Sequence, residues 1–274
     1  MSFGIPLHVE TMGLNPASGV DSIVLIHGYG GSGFSWRYWG PLLAKRAHVV
    51  LVDMKGFGSS PKPKDGKYGP GHQAELIYRL ILRSDLKQVT LVGHSLGGAV
   101  ALGVALKMLD SQPEQLKRLI LLASAAYKQR MPLFVKLAKH RRLASLALHV
   151  LGSRFLIRYV LKSIVFDPAT VSDDQVLGYA KPLSSREAHR VLIDTALAIV
   201  PPNLDTMTTR FKEIDVPTLI LWGRSDLVVP LWVGERLAEE LPDAQLKVLE
   251  NCGHLPAEEL PEQSWLLLQD FLDQ

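Results

Sequence analysis

The residue best placed to do chemistry is Ser95, which lies in the stretch Gly93-His94-Ser95-Leu96-Gly97. The apolar run at 88–92 predicts a buried strand before it, and residues 99–109 have the composition of a helix. A serine on a tight, glycine-flanked turn between strand and helix projects its hydroxyl above a sheet, where it can act as a nucleophile. The five-residue pattern also arises by chance, so it predicts a nucleophile only if a base and a carboxylate follow at strand ends.

Two residues in the last part of the chain supply that base and that carboxylate. Asp226 follows an apolar strand predicted at 216–222, and His254 follows a strand predicted at 245–249. A carboxylate can orient a histidine ring that removes the serine proton, so the order Ser95, Asp226, His254 predicts a catalytic triad. The competing interpretations are that Asp226 caps the next helix and that His254 is structural. The position of both residues at strand ends favours catalysis.

The glycine-rich turn after the second predicted strand supplies a candidate oxyanion hole. Glycines allow a backbone N–H to approach an acyl oxygen closely. The N–H of Tyr29 is the first candidate donor, with that of Gly30 second, and the N–H of Leu96 is the donor from the predicted helix start. A histidine in either turn can instead serve only to hold the backbone. The candidate substrate-binding residues in the two turns are His27, Gly28, Gly30 and His94.

The same turn also fits a different pattern. Gly28-x-Gly30-x-x-Gly33 follows a predicted strand, and Asp53 lies twenty residues beyond Gly33, as in dinucleotide-binding proteins. This pattern would make the protein an NAD-dependent oxidoreductase. It leaves the three residues of the predicted triad unexplained and is therefore a distant alternative.

Predicted strands and helices alternate along most of the chain. Strand patterns occur near residues 7–11, 22–26, 48–52, 88–92, 119–123, 216–221 and 245–249. Helical patterns between them include residues 34–45, 232–240 and 261–272. The alternation predicts an α/β fold whose parallel sheet is covered by helices on both faces. Only helical periodicity is found between residues 127 and 209. We therefore predict a helical cap at 127–209, inserted into a core domain formed by 1–126 and 210–274.

Composition limits the classes of protein and of site. The single Cys252 excludes an internal disulfide and a cysteine-based zinc site, which fits a reducing compartment. The first residues lack a signal-peptide pattern, and no apolar run is long enough to span a membrane, so we predict a cytoplasmic location. A net charge of +3 is too small to indicate nucleic-acid binding.

Basic residues are concentrated in one stretch. Residues 115–166 contain eleven Lys or Arg and no Asp or Glu, whereas the remainder carries nineteen basic and twenty-seven acidic residues. Such a run is often only a solvated helical face. Alternatively it attracts an acidic substrate, or it forms an amphipathic face that contacts an anionic membrane and delivers an acyl ester. The residues of that face would be Lys136, Lys139, Arg141 and Arg142, interleaved with Leu133, Phe134, Leu137, Leu143 and Leu146.

Taken together, the motifs resemble those of the α/β-hydrolase superfamily. The resemblance implies a mostly parallel eight-stranded sheet, a helical cap inserted after the sixth strand, and no cofactor. The chain is similar to the capped serine hydrolases, which include carboxylesterases, lactonases, monoglyceride lipases, carbon–carbon bond hydrolases and cofactor-free haloperoxidases. Ser95 argues against epoxide hydrolases and haloalkane dehalogenases, which carry aspartate there. The matching motifs are His27-Gly28-x-Gly30, Asp53-x-x-Gly56-x-Gly58-x-Ser60, residues 93–98, Gly223-x-x-Asp226, and Gly253-His254 followed by Glu258 and Pro261.

We therefore expect a serine hydrolase that cleaves small-molecule carboxylic esters, including lipid-like acyl esters, through an acyl-enzyme. The alternatives within the same fold are a carbon–carbon bond hydrolase and a cofactor-free haloperoxidase or perhydrolase. A binding module that uses the fold without catalysis is more distant. No metal is expected. The sequence predicts neither the acyl chain length nor the oligomeric state.

Overall fold

A seven-stranded β-sheet forms the centre of the protein. The computed structural model describes residues 7–16, 19–84, 86–138 and 140–274, without the side chains of 134 and 141–150. The strands are β1 (His8–Gly13), β2 (Ser22–Ile26), β3 (His48–Asp53), β4 (Val89–His94), β5 (Leu116–Leu122), β6 (Thr218–Gly223) and β7 (Ala244–Leu249). Their order across the sheet is β1-β3-β2-β4-β5-β6-β7. β1 is antiparallel to β3, and the other pairs are parallel.

The strand count differs from the eight strands that the family resemblance implies, because the described residues form seven. Only residues 14–21 separate β1 from β2, and they include Pro16 and Gly19, whose φ is +71°. The described residues of this connection form no strand. The seven observed strands correspond to the seven apolar runs of the sequence.

Both faces of the sheet are buried, because helices cover each of them. Val24 and Ile26 of β2 belong to one apolar layer, whereas Ile23 and Leu25 belong to the other. This follows from the alternation of side chains along a strand, and it explains why β2 is apolar throughout. The helices of the first layer are α2 (Pro70–Arg83), α3 (Leu96–Leu109) and α9 (Trp232–Glu240), and those of the second are α1 (Trp39–Leu43) and α11 (Pro261–Leu272).

The carboxyl ends of the parallel strands meet at one edge of the sheet. Ile26 at the end of β2 pairs in register with Gly93 near the end of β4, and Gly93 pairs with Leu121 of β5. β2 lies between β3 and β4, so the strand order reverses beside it. In open α/β sheets, sites form in the crevice at such a reversal. The turns after β2 and β4 therefore lie side by side at the expected position of a site.

Five helices lie between β5 and β6, where the cap was predicted, and the described residues of this segment form no strand. They are α4 (Leu133–Ala138), α5 (Arg141–Ile164), α6 (Asp173–Ala180), α7 (Arg186–Ala198) and α8 (Leu204–Thr208). Gly152 interrupts α5 with φ +74° and ψ 153°. The domain limits 1–126, 127–209 and 210–274 stay predictions. In the described part of the chain, no helix combines the length and the apolar character needed to cross a bilayer.

Candidate active site

Ser95 lies on a strained turn between β4 and α3. Its φ of +55° and ψ of −118° are rare for a residue with a side chain. The neighbours must be glycine, because a Cβ at Gly93 would lie 2.4 Å from the carbonyl oxygen of Gly97, and one at Gly97 would lie 2.2 Å from that of Ile26. Gly97 thus allows the turn to pack closely against the end of β2, and Gly93 allows the start of α3 to pack closely against β4, which together hold the Ser95 hydroxyl at the strand ends.

The three residues of the predicted triad form one hydrogen-bonded chain. The Ser95 Oγ lies 2.9 Å from Nε2 of His254, and Nδ1 of His254 lies 2.8 Å from Oδ2 of Asp226. Oδ1 of Asp226 accepts the backbone N–H groups of Val228 and Val229 at 2.8 and 2.9 Å. These bonds fix the carboxylate, which fixes the ring with Nδ1 protonated. Nε2 can then accept the serine proton, as nucleophilic catalysis requires.

The loop that carries His254 is tied to the cap. The backbone N–H of His254 donates to the carbonyl oxygen of Ile164, the last residue of α5, at 2.8 Å. The Glu259 carboxylate accepts the N–H groups of the residues on either side of His254, at 2.9 and 2.8 Å, and that of Phe166 at 2.7 Å. One carboxylate therefore joins the histidine loop to the end of a cap helix.

His94 lines the cavity beside Ser95 and contacts His254. Its Nε2 lies 2.8 Å from the carbonyl oxygen of His254, and the two ring centroids are 4.9 Å apart. Burial, and next the nearby charge of His254, lower the pKa of His94 to about 3. His94 is therefore neutral at physiological pH and donates its Nε2 proton to that carbonyl oxygen. It supports the position of His254 and borders the space next to Ser95.

His27 lies beneath the turn after β2 and is not among the described residues that line the cavity. It is fully buried, with Nδ1 2.8 Å from the carbonyl oxygen of Gly28, while Nε2 accepts the N–H of Met54 at 3.0 Å. Burial lowers its pKa and outweighs the opposing charge of Asp53. Both ring nitrogens are engaged, so His27 holds the turn. Its binding of substrate stays a prediction.

The turn after β2 faces Ser95 across the crevice. Gly28, Tyr29 and Gly30 all line the cavity, as Leu96 does from the start of α3. A Cβ at Gly28 would lie 3.1 Å from the Cβ of Ser95, which shows how closely the turn approaches the elbow. The Tyr29 hydroxyl donates to the carbonyl oxygen of Leu192 in α7 at 2.8 Å. The cap therefore contacts this turn as well as the His254 loop.

A cavity of about 540 Å³ lies above Ser95, between the strand ends and the cap. Its lining is mostly apolar, and none of the described lining residues is Lys, Arg, Asp or Glu. It is large enough for a small organic substrate. The cap contributes residues from all five of its helices, among them Leu133, Val135, Leu156, Val160, Tyr179, Leu192 and Leu204.

A buried polar network that the sequence did not predict closes one side of the cavity. Glu258 pairs with Arg37 at 2.6 Å and accepts hydrogen bonds from Gln175 and from the Tyr179 hydroxyl. That hydroxyl also lies 3.1 Å from the Oγ of Ser35, and both Tyr179 and Ser35 line the cavity. Glu258 stands in the motif after His254, but its partner on α6 lies 79 residues away. No local pattern reveals such a contact.

The residues of the competing dinucleotide pattern are used within the protein. Oδ1 of Asp53 accepts the N–H of Gly33, and Oδ2 accepts that of Ser59, both at 2.7 Å. The carboxylate that would bind a ribose therefore joins two loops instead. Within the described part of the chain, no group of three or more His, Cys, Asp or Glu is arranged to hold a metal ion.

Comparisons with known proteins identify the family of this chain. A family model described as the alpha/beta hydrolase fold matches residues 21–261. An uncharacterized hydrolase of Bacillus subtilis, YugF, is 29% identical over 93% of this chain and 90% of its own length. A 2-hydroxy-6-oxononadienedioate/2-hydroxy-6-oxononatrienedioate hydrolase of Cupriavidus pinatubonensis is 27% identical over 93% and 88%.

Among solved structures, an alpha/beta hydrolase fold protein from Burkholderia ambifaria superposes with a TM-score of 0.81. It is 26% identical, and the match covers 98% of this chain and 94% of that one. The family model spans most of the chain, from the start of the central strands to the residues beyond His254. The protein is therefore a hydrolase that belongs to the α/β-hydrolase family.

Proposed function

We propose that this protein hydrolyses neutral carboxylic esters with a large apolar group, using Ser95 as nucleophile. The observation that carries the proposal is the position of the Ser95 Oγ, 2.9 Å from Nε2 of His254, at a cavity whose described lining contains no Lys, Arg, Asp or Glu. An aligned nucleophile and base suit acyl transfer, and an apolar cavity suits an uncharged substrate.

The reaction proceeds in two halves. His254 removes the proton of Ser95 as the serine oxygen attacks the ester carbonyl, and Asp226 stabilises the imidazolium. The N–H groups of Tyr29 and Leu96 hold the oxyanion, and loss of either donor should cost about 10² in rate. His254 then protonates the departing alcohol. A water molecule, deprotonated by His254, cleaves the acyl-enzyme and releases the acid.

Carbon–carbon bond hydrolysis is the second candidate, because the Cupriavidus relative is named as a hydrolase of a hydroxy-oxo-dioate, a substrate that contains no ester bond. Its named substrate is a dioate and therefore brings two carboxylates, which require cationic partners when they are buried. Arg37 of this chain pairs with Glu258, and Arg190 donates to the carbonyl oxygens of Lys62 and Pro63. These arginines are engaged elsewhere, which favours the neutral ester over the dioate.

The first test is covalent labelling with a fluorophosphonate, followed by intact-mass measurement. We expect one adduct on the wild type and none on Ser95→Ala. Ser163→Ala is the matched control, because Ser163 also lines the cavity and its Oγ donates to the carbonyl oxygen of Val160. An adduct that persists in Ser95→Ala would contradict the assignment of the nucleophile. The absence of any adduct on the wild type would instead favour the binding-module alternative.

The second test compares substrates. We expect p-nitrophenyl esters to be hydrolysed with a kcat/KM that rises with acyl chain length, as the apolar cavity is filled. The competing substrate is 2-hydroxy-6-oxononadienedioate, and its cleavage is monitored by the loss of its dienolate absorbance. A higher kcat/KM for this dioate than for every ester would overturn the ester proposal and leave Ser95 as the nucleophile of a carbon–carbon hydrolase.

The cytoplasmic location stays a prediction.

A further inference from the structure

Several apolar side chains that line the cavity are also exposed to solvent. Together we call them the cavity rim, which marks where the cavity opens through the cap and the loop after β6. Large apolar side chains gathered around one opening usually mark a contact surface. The rim consists of Leu133 (64% exposed), Leu137 (54%), Tyr159 (64%), Val200 (41%) and Leu227 (82%).

The outer face of α5 extends this surface. Phe155 is 60% exposed and lies one helical turn before Tyr159, and Arg154 and Lys162 are exposed on the same side of the helix. The opposite side of α5 packs inward, where Leu161 is buried in a cluster with α6. The exposed side therefore combines aromatic and basic side chains.

The charged residues of α5 are all basic, although Asp173 at the start of α6 pairs with Arg158 and lies near Arg154. Residues 115–166 contain no Asp or Glu, and basic residues flank the exposed aromatic ones. Such a surface complements the anionic headgroups of a phospholipid layer, while Phe155, Tyr159 and the leucines of the rim suit its acyl region. A substrate that fills an apolar cavity would itself be concentrated in that layer. The part of this surface predicted from the sequence at Lys139 lies outside the described residues, as do the side chains of Arg141 and Arg142.

We infer that the cavity rim and the outer face of α5 dock on an anionic phospholipid surface, from which the ester enters the cavity. The identity of the substrate in this inference rests on the proposed function, whereas the docking surface rests on exposure and charge. The contact is peripheral, since only side chains of the rim and of one helix face enter the lipid layer.

The direct test is sedimentation of the full chain with vesicles at physiological ionic strength. We expect binding to phosphatidylcholine vesicles that contain phosphatidylglycerol, and much weaker binding to phosphatidylcholine alone. The double variant Arg154→Glu/Lys162→Glu should lower the partition coefficient by at least about tenfold, since each basic residue contributes to headgroup attraction. Phe155→Ser should lower it by about tenfold through loss of apolar burial.

The matched controls lie in the core elements. Lys45→Glu/Lys247→Glu reverses two exposed charges, and Leu266→Ser removes an apolar side chain that is 58% exposed, nearly as much as Phe155. Both should bind vesicles as the wild type does. The inference is overturned if the wild type does not sediment with anionic vesicles, or if the controls lose as much binding. A dimer that Phe155→Ser dissociates would instead assign this surface to a second copy of the chain.

Activity assays separate this inference from the proposed function. Neither Arg154, Phe155 nor Lys162 is among the described residues lining the cavity, so their variants should hydrolyse a soluble p-nitrophenyl ester at the wild-type rate. The same variants should lose rate on a long-chain ester embedded in anionic vesicles. Hydrolysis of the soluble ester without vesicle binding would overturn the docking surface alone. Vesicle binding without any ester hydrolysis would overturn the proposed function alone.

Discussion

At the scale of single residues, the contacting side chains of His94 and His254 must differ in charge during the proposed reaction, because His254 accepts a proton while His94 stays neutral. In the proposed reaction His254 is charged transiently, and its ring lies against that of His94, with centroids 4.9 Å apart. A second cation at this distance would oppose the imidazolium. Burial prevents this, because it lowers the pKa of His94 to about 3. A neutral His94 also donates to the carbonyl oxygen of His254 at 2.8 Å, so it supports that residue without competing with it electrostatically.

The hydrogen bonds of Asp226 predict the effect of Asp226→Asn. The carbonyl oxygen of the new amide would take the position of Oδ1, which accepts two backbone N–H groups. Its NH₂ would then face Nδ1 of His254 and favour the tautomer protonated on Nε2, which cannot accept the Ser95 proton. We expect kcat/KM on a soluble ester to fall by about 10⁴ with little change in thermal stability. Asp243→Asn, at an exposed position, is the control, and a loss below about tenfold would contradict this role of Asp226.

At the scale of elements, the loop from β7 to α10 (Pro256–Glu259) is one of the places where cap and core meet. Its position depends on the Ile164 carbonyl oxygen and on the Glu259 carboxylate, which accepts three backbone N–H groups. Hydrogen bonds to a charged acceptor are stronger than neutral ones, and an orphaned buried N–H is costly. A displacement of the end of α5 would therefore also displace His254.

Removal of that carboxylate should affect both stability and turnover. We expect Glu259→Ala to lower the free energy of unfolding by about 2 kcal/mol. It should also lower kcat by up to about 10², because the base is misplaced relative to Ser95. Urea unfolding and ester hydrolysis measure the two effects, with Glu262→Ala at an exposed position as control. A variant that loses stability but keeps the wild-type kcat would show that Glu259 only supports the fold.

The sequence predicts some elements better than others for physical reasons. The helices at 232–240 and 261–272 have the predicted bounds, since each is amphipathic and is packed on one side. A single helix predicted at 34–45 is instead a short 3₁₀ turn (Gly33–Trp36) followed by the five-residue α1. Gly40 and Pro41 weaken helical propensity there, and tertiary packing of Trp36 and Trp39, both buried, decides the backbone.

At the scale of the whole molecule, the candidate site is predictable because the topology is regular. Parallel strands end at one edge of the sheet, so Ser95, Asp226 and His254 meet although 159 residues separate the serine from the histidine. The cap follows no such rule. The contacts of Tyr179 with Glu258 and of Phe166 with Glu259 depend on how its helices pack, and no local pattern encodes that packing. The sequence therefore predicts the residues of the proposed reaction, whereas the cavity and its rim require the structure.

The buried histidines also make the stability of the whole molecule depend on pH. The pKa of His94 is lowered from 6.5 to about 3, and that of His27 is lowered as well. Between pH 3 and pH 6.5 the unfolded chain binds a proton at His94 that the native state does not bind. The contribution of the neutral, buried His94 to the free energy of unfolding is therefore fully present above pH 6.5 and is lost as the pH falls toward 3. Each such histidine contributes a slope of about 1.4 kcal/mol per pH unit.

This slope can be assigned to His94 by substitution. Urea unfolding between about pH 5 and 6 avoids most carboxylate titration. In that range His94→Gln should reduce the rise of unfolding free energy with pH by about 1 kcal/mol per unit, even if the variant is less stable at every pH. Val100→Ala, which removes buried apolar atoms but no titratable group, should lower the stability and keep the wild-type slope. An unchanged slope in His94→Gln would mean that His94 is charged in the native state, and the neutral donor to the His254 carbonyl oxygen would then be excluded.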